Sequence, residues 1–392
     1  MTDVVVVDAV RTPVGRRRGG LSGTHPVNTL AHVLRALVDR TGVDPGAVGQ
    51  VIGGCVTQIG EQSTNIIRTG WLTAGLPLQV PSTTIDAQCG SSQQATSLAS
   101  ALVGSGLTDL AVGCGVEAMS RVPIGASLDE ARGFGTPWPP EYADHYEVTS
   151  QFEGAERIAD KWGVTRADAD AFGKRSQDLA ARAWAEGRFD SQVVPIEVAE
   201  RDAEGNPTGG TVLISKDEGL RATTLEALAG LKPVARPDGV HTAGNASQIS
   251  DGAAAVLVAE ASKAAALGLR ARARIVDSCL VGSDPELMLT GPIPATELLL
   301  RRNGLTVDDI DVFEINEAFA SVVLAWQREL SVDPDKVNPN GGAIALGHPL
   351  GATGAFLISK ALGELERSQG RLALITMCCG GGLGTGMLLE RV

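Results

Sequence analysis

The chain has 392 residues, too many for one ordinary hydrophobic core, so two or three domains are expected. A formal charge of −13 and an isoelectric point near 4.9 argue against a general nucleic-acid or anionic-membrane binder, whose affinity needs a basic surface, and leave room only for a local basic pocket. No run approaches the ~18 apolar residues of a membrane span, the opening VVVVDAV has no export-signal pattern, and six scattered cysteines (Cys55, Cys89, Cys114, Cys279, Cys378, Cys379) suit a reducing cytoplasm better than a disulfide framework.

In chain order, Val4 to Val7 read as a strand, Asn28 to Arg40 as a helix with Leu30, Val33, Leu34, Leu37 and Val38 on one face, and Val48 to Val56 as another strand. A short β-like run from Pro81 to Ile85 leads through Cys89 into a small-residue helix, followed by an apolar strand ending in Cys114 and Gly115. From Met119 to Gln248 the composition turns to Trp, Pro and charged residues around two helical segments, SQFEGAERIADKWG and RADADAFGKRSQDLAARAWAEG, which reads as an inserted domain. The buried-strand pattern returns at SDGAAAVLVAE. The remainder repeats the opening rhythm: strand ARIVDSCLVG, helix PATELLLRRNG, strand DIDVFEI, helix NEAFASVVLAWQREL, a Gly-rich turn, another helix and a final apolar strand. The expected divisions are residues 1–118 with 249–270, an inserted domain at 119–248, and 271–392.

The two ends can be laid over each other. DPGAVGQVIGGCVTQ matches TVDDIDVFEINEAFA in rhythm, and the stretch from STTIDAQCGSS to LAVGCG matches the one from NPNGGAIALGHPLGATG to ITMCCGG. In each, a Gly/Ser-rich turn opens a helix that leads to an apolar strand ending in Cys and Gly. Two similar α/β halves are therefore expected, with equivalent turns meeting in one cleft.

Four constellations carry chemistry. Cys89, in DAQCGSSQQA, lies at the mouth of a helix, where unpaired amides and the positive end of the dipole favour a thiolate; the alternative is a small buried apolar residue. His348, in NGGAIALGHPLGATG, stands on a rigid glycine-dense turn, either as a base for a thiol or as a turn histidine satisfied by backbone. His241 is ambiguous. TMCCGGGLGTG places Cys378 and Cys379 before three glycines; adjacent cysteines seldom bridge, so one of the pair is a candidate proton carrier, with glycine amides aimed at a developing oxyanion. Asn316, in EINEAFAS, sits at a strand-to-helix junction, either as a helix cap or to orient a water or a thioester oxygen. No C-x-x-C or H-x-x-x-H pair proposes a metal, and GHPLGATG is neither a Walker loop nor a dinucleotide fingerprint.

Together VDAVRTPVGRRRGGL, QCGSSQQA, GVEAMSR, TAGNASQISDGAAA, EINEAFAS, NGGAIALGHPLGATG and MCCGGGLGTG resemble the thiolase family of acyl-CoA C-acyltransferases over essentially the whole chain. The resemblance implies an α/β thiolase fold of two similar αβαβα-layered halves with an inserted loop domain. It implies Cys89 as the acylated nucleophile, His348 as the base that takes its proton and, with Asn316 and a water, binds a thioester oxygen, and Cys378 as the acid/base cysteine of the C-x-G-G-G pattern. The amides of Cys89 and Gly380 would form a second oxyanion site, and Ser247, Ala243, Ala318, Phe319 and Arg221 would line the coenzyme A channel. Coenzyme A is then a co-substrate, no metal or permanently bound cofactor is needed, and a homodimer or homotetramer is expected.

Several segments, among them CVTQIGEQSTNIIRTGWLTAGLP and INEAFASVVLAW, look most like actinobacterial thiolases of steroid side-chain β-oxidation, although Ser92 and Gln93 stand where many thiolases carry Gly-Leu. The expected activity is degradative thiolysis of a bulky 3-ketoacyl-CoA. The rival readings are a short-chain acetoacetyl-CoA thiolase and a non-catalytic acyl-CoA or sterol-binding relative. A ketoacyl synthase would end the second-half strand in histidine where Cys378 stands.

Overall fold

The Val-rich opening forms β1 (Val4–Arg11), buried along its whole length, followed by β2 (Gly15–Arg16). Helix α1 (Pro26–Thr41) starts on a proline, which fits the first helical position, and stops at Gly42 in the left-handed region; Leu30, Val33, Leu34 and Leu37 form its buried face. Then come β3 (Gln50–Gly54), α2 (Ile66–Thr73), β4 (Ser82–Ile85), α3 (Ser91–Gly104) and β5 (Leu110–Ala118). The middle of the chain holds α4 (Gln151–Trp162), α5 (Arg166–Ala185), which opens on a Thr165/Asp168 capping box, the paired strands β6 (Ile196–Arg201) and β7 (Pro207–Ile214), and α6 (Leu225–Ala229). After β8 (Ser250–Glu260) and α7 (Ala261–Ala266) follow β9 (Ala273–Gly282), α8 (Pro292–Asn303), β10 (Val312–Ile315), α9 (Ala320–Leu330), α10 (Ala343–Leu346), α11 (Thr353–Ser368), β11 (Leu372–Cys379) and β12 (Leu383–Arg391). This computed structural model describes residues 3–128, 133, 135–202 and 205–392.

One sheet runs through both halves in the order β10-β11-β12-β9-β1-β8-β5-β3-β4, with β2 paired to β8. The strands β9, β12, β11 and β10 repeat the order and the parallel or antiparallel sense of β1, β8, β5 and β3. The duplication seen as rhythm is therefore a duplication of topology. Where the first half adds β4 beside β3, the second has a single parallel bridge between Phe313 and Val337. The halves join at β1–β9, where Val5 opposes Arg274 and Val6 opposes Ala273.

Burial follows from this arrangement. Helices α3 and α11 touch each other and pack on the strands of both halves, their apolar faces forming a central core with Val256, Ile358, Leu365 and Met387. Helices α1 and α2 cover the outer face of the first half, and α8 and α9 that of the second, where Phe313 and Trp326 are wholly buried. The result is five layers, αβαβα.

Two local expectations change. The last apolar strand is a hairpin, β11 and β12, turned by residues 380–382, in which Gly381 and Gly382 have φ +77°. Helix α9 begins only at Ala320, its N-cap is Phe319, and Asn316 is not a cap. Residues 316–320 pair instead with neighbouring chain: Asn316 N–H donates to Thr376 O, Ser247 N–H to Ala318 O, and Ala320 N–H to Asn245 O.

Candidate active site

Strand β4 delivers the chain to a tight turn at residues 86–90, after which α3 starts with Gly90 as its N-cap. Cys89 is 7% exposed, and the backbone N–H groups that favour its thiolate are those of Gly380 and of Cys89 itself. The helix terminus was expected to ionise this thiol, and burial reverses that expectation. Loss of water, reinforced by the negative charges of Glu117 and Asp86, pushes the thiol up to about 12 against the two amides. At rest Cys89 is a neutral thiol facing two donors.

His348 follows Gly347, whose φ of +109° is open to glycine and whose Cβ position is filled by Ser250 Oγ and Val14. The His348 N–H donates to Ser250 Oγ at 3.0 Å. Its Nδ1 lies 2.6 Å from Thr353 Oγ1, and that hydroxyl donates its own proton to Pro349 O at 2.9 Å. Thr353 can therefore only accept from Nδ1, which puts the ring proton there and leaves a lone pair on Nε2. Asn316 Nδ2 stands 3.3 Å from Nε2, a donor facing that lone pair. Burial holds the imidazole down to about 4, so it is a neutral base at neutral pH.

The two Gly-rich turns meet where α3 and α11 begin. Ala355 N–H donates to Ser92 Oγ at 2.9 Å, and Gly354 lies so close to Gln93 that a Cβ would fall 2.3 Å from its backbone nitrogen. Alternation along β11 separates the cysteine pair. Cys378 packs with Ala246, Leu289, Ala318 and Phe319, and burial and then the proximity of Cys89 hold its thiol well above the usual range. Cys379 sits under the nucleophile turn: its sulfur would be 2.6 Å from a Cβ on Gly90, and the Gly90 amide reaches it. The second thiol thus fills space that a glycine leaves.

The residues named for the channel form two linked groups. Ser247, Ala318 and Phe319 are tied by the Ser247–Ala318 hydrogen bond and the Ala246–Phe319 bridge. The Arg221 guanidinium donates to Ala243 O at 3.1 Å beside a cavity of about 170 Å³ lined by Arg221, Leu228, Leu231 and Gly244. Phe319 packs edge-on against His241, which is wholly buried with its Nδ1 3.1 Å from Glu156 Oε1. His241 thereby gains a place, between Phe319 and Glu156.

Sequence reasoning missed three contributors. Thr353 stood inside the His348 segment without a role, and its contact appears only once α11 folds back on the turn. Glu117, wholly buried, accepts from Val56 N–H (2.9 Å), Thr57 N–H (3.1 Å), Gln62 Nε2 (2.7 Å) and Gly351 N–H (3.0 Å), pinning the turn after His348 to the first half. Ser250 holds the His348 backbone. Among the described residues, no group of three or more His, Cys, Asp or Glu side chains is placed to hold a metal, and no helix is long and apolar enough to cross a membrane.

Paired thiols, a neutral imidazole and converging amides on a duplicated αβαβα scaffold define a thiol-dependent acyl-transfer centre. The family models agree: the thiolase N-terminal domain matches residues 4–262 and the thiolase C-terminal domain residues 269–391, and the chain belongs to the thiolase family, enzymes that transfer acyl groups and take coenzyme A as a substrate. It is 48% identical to the steroid 3-ketoacyl-CoA thiolase FadA6 of Mycobacterium tuberculosis, over 100% of this chain and 95% of that one. It is 43% identical to a beta-ketoadipyl-CoA thiolase of Acinetobacter baylyi and 44% identical to the 3-oxoadipyl-CoA/3-oxo-5,6-dehydrosuberyl-CoA thiolase of Escherichia coli, over all of both chains in each case. The crystal structure of the Bacillus anthracis acetyl-CoA acetyltransferase superposes with a TM-score of 0.91 at 38% identity, covering 100% of this chain and 99% of that one.

Proposed function

We propose that the protein is a degradative 3-ketoacyl-CoA thiolase that cleaves a bulky, steroid-derived 3-ketoacyl-CoA with coenzyme A, giving acetyl-CoA or propionyl-CoA and a shortened acyl-CoA. The observation that carries the chemistry is the seating of the end of β11 against the Cys89 turn, where a Cβ on Gly90 would fall 2.6 Å from Cys379 Sγ and one on Gly380 3.1 Å from Gln88 Oε1, with the amides of Cys89 and Gly380 favouring the Cys89 thiolate. Cys89 Sγ attacks the 3-keto carbon as His348 Nε2 takes its proton. Collapse breaks the C2–C3 bond and leaves an acyl-Cys89 thioester, whose oxygen lies at the two amides. The electron pair leaves as the enolate of the departing CoA thioester, its oxygen held by His348 and a water on Asn316, and Cys378 protonates its carbon. The Cys378 thiolate then takes the proton of coenzyme A, whose sulfur attacks the acyl-enzyme and expels Cys89 as a thiolate, and His348 returns its proton to Cys89.

Two thiols are needed because one is occupied as the acyl carrier while the other moves the proton. Ser247, Ala243, Ala318, Phe319 and Arg221 line the channel for coenzyme A in this reading, and residues 119–248 form a loop domain over it. The relationship to the mycobacterial steroid thiolase supports the bulky substrate, and the free cysteines support a cytoplasmic location. The relationship to the adipyl-type thiolases favours a second reading, a 3-keto chain ending in a carboxylate.

Intact-protein mass spectrometry after brief exposure, without free coenzyme A, to 3-ketoacyl-CoAs of each kind and to acetoacetyl-CoA tests the proposal. The expected result is a mass gain equal to the shortened steroid acyl group, absent in Cys89→Ala. A gain only from the carboxylated chain would move the enzyme to the second reading. An adduct from none of them would overturn the thiolase assignment.

A further inference from the structure

The turn that carries Cys89 is held in a conformation its own residues do not favour. Gln88 has φ +52°, in the left-handed region that costs a residue with a side chain free energy and persists only where its surroundings impose it. Two neighbouring side chains impose it here. Asp86 Oδ1 accepts the Gln88 N–H at 2.7 Å, the local turn that aspartate forms two residues along. The Ser91 hydroxyl, wholly buried, accepts the Ala87 N–H at 2.9 Å and donates to the Gln88 carbonyl at 2.5 Å, which also takes the Ser91 N–H at 3.0 Å.

The gripped carbonyl belongs to the Gln88–Cys89 peptide. A trans peptide is planar with its C=O and N–H pointing in opposite directions, so holding the oxygen from one side aims the N–H to the other. That N–H is the Cys89 amide, one of the two that favour the Cys89 thiolate. Resting on the thiolase chemistry set out above, we propose that Asp86 and Ser91 are positioning residues for the oxyanion site. Together they fix the plane of the Gln88–Cys89 peptide, so that its N–H and that of Gly380 converge on the oxygen of acyl-Cys89. The acceptor oxygen of Asp86 does this work. Its charge opposes it, because a carboxylate beside the nucleophile disfavours the thiolate.

The test compares Asp86→Asn with Asp86→Ala. Both remove the charge, and only alanine removes the acceptor. Turnover of a 3-ketoacyl-CoA is expected to stay within about threefold of wild type in Asp86→Asn and to fall about 10- to 100-fold in Asp86→Ala, below the loss of a whole oxyanion donor because the amide is misaimed and not deleted. The KM for coenzyme A should change less than about twofold, since the channel residues lie elsewhere. Adding Gln88→Gly to Asp86→Ala should recover most of the loss, because glycine reaches positive φ without steric cost, a rescue that general loss of stability would not show. Ser91→Ala should lower turnover in the same way; if it fails to fold, the Asp86 pair decides. Asp86→Ala within twofold of wild type, Asn falling as far as Ala, or no recovery with Gln88→Gly would each overturn the proposal. A wild-type protein that cleaves no 3-ketoacyl-CoA would instead overturn the thiolase reading, so the two failures are distinguishable.

Discussion

Thr353→Val removes one oxygen acceptor from beside the His348 ring and keeps the shape of the side chain. In the wild-type protein His348 Nδ1, which carries the ring proton, lies 2.6 Å from Thr353 Oγ1 in a wholly buried pocket. Valine leaves that proton without an acceptor, at a cost of about 1–3 kcal/mol for an unpaired buried donor. The ring can avoid the cost only by moving the proton to Nε2, where it would face the Asn316 amide 3.3 Å away, donor against donor. In either form the lone pair proposed to receive the Cys89 proton is weakened or lost, and 1–3 kcal/mol corresponds to a slowing of roughly 5- to 150-fold. Helix α11 should survive, because the Thr353 backbone N–H still donates to Pro349 O at 3.0 Å. The assay is single-turnover acylation of Cys89 in the absence of coenzyme A, quenched and read by mass. Thr353→Ser, which restores a hydroxyl, should acylate near the wild-type rate. A Thr353→Val enzyme of unchanged melting temperature that acylates within twofold of wild type would refute the assignment of the Nε2 lone pair as base.

The cysteine pair predicts an asymmetry: Cys378→Ala should acquire an acyl group slowly and turn over poorly, while Cys379→Ala should keep turnover and lose stability from the space emptied under Gly90, as steady-state rates and melting temperatures would show. Equal loss of turnover in both would contradict the division of labour. Burial of His348 predicts a pH effect with a definite sign. The unfolded chain binds a proton near pH 6.5 that the folded chain refuses until about 4, so stability should fall as pH drops through that window, by up to about 3 kcal/mol, and level off below it. Urea melts of wild type and His348→Asn at pH 7 and 4.5 would show the component present in the first and missing from the second.

Much of this was legible in the chain, for physical reasons that differ by feature. The halves could be matched because β3 and β10, α3 and α11, and β5 and β11 each carry their own apolar periodicity between turn residues, a local signal that survives without knowledge of tertiary contacts. Cys89, Cys378 and His348 stood out because glycines surround them. Asn316 was ambiguous: as a strand-to-helix residue it suited a cap, and only the pairing of residues 316–320 with 245–247 and Thr376 removes that role. The direction of the Cys89 shift was misread, because a helix terminus is visible in sequence while the depth of burial that outweighs it is not. Glu117 acts across the boundary between halves, at contacts set by how α11 docks, and Thr353 acts within one turn, on a ring five residues before it, through a side-chain contact that no spacing rule reports.

The β1–β9 joint makes the sheet continuous, and it also decides who owns the chemistry. Cys89 and its turn belong to the first half; His348, Asn316, Cys378 and Gly380 belong to the second. In the proposed mechanism a symmetric scaffold is thus used asymmetrically, with the acyl carrier on one repeat and the proton machinery on the other. Neither repeat is a smaller version of the enzyme, so no fragment or half-folded intermediate holds a reduced share of the activity. In that mechanism the site is complete only where the second repeat closes on the first, and reactivity at Cys89 is in that sense a reporter of finished assembly.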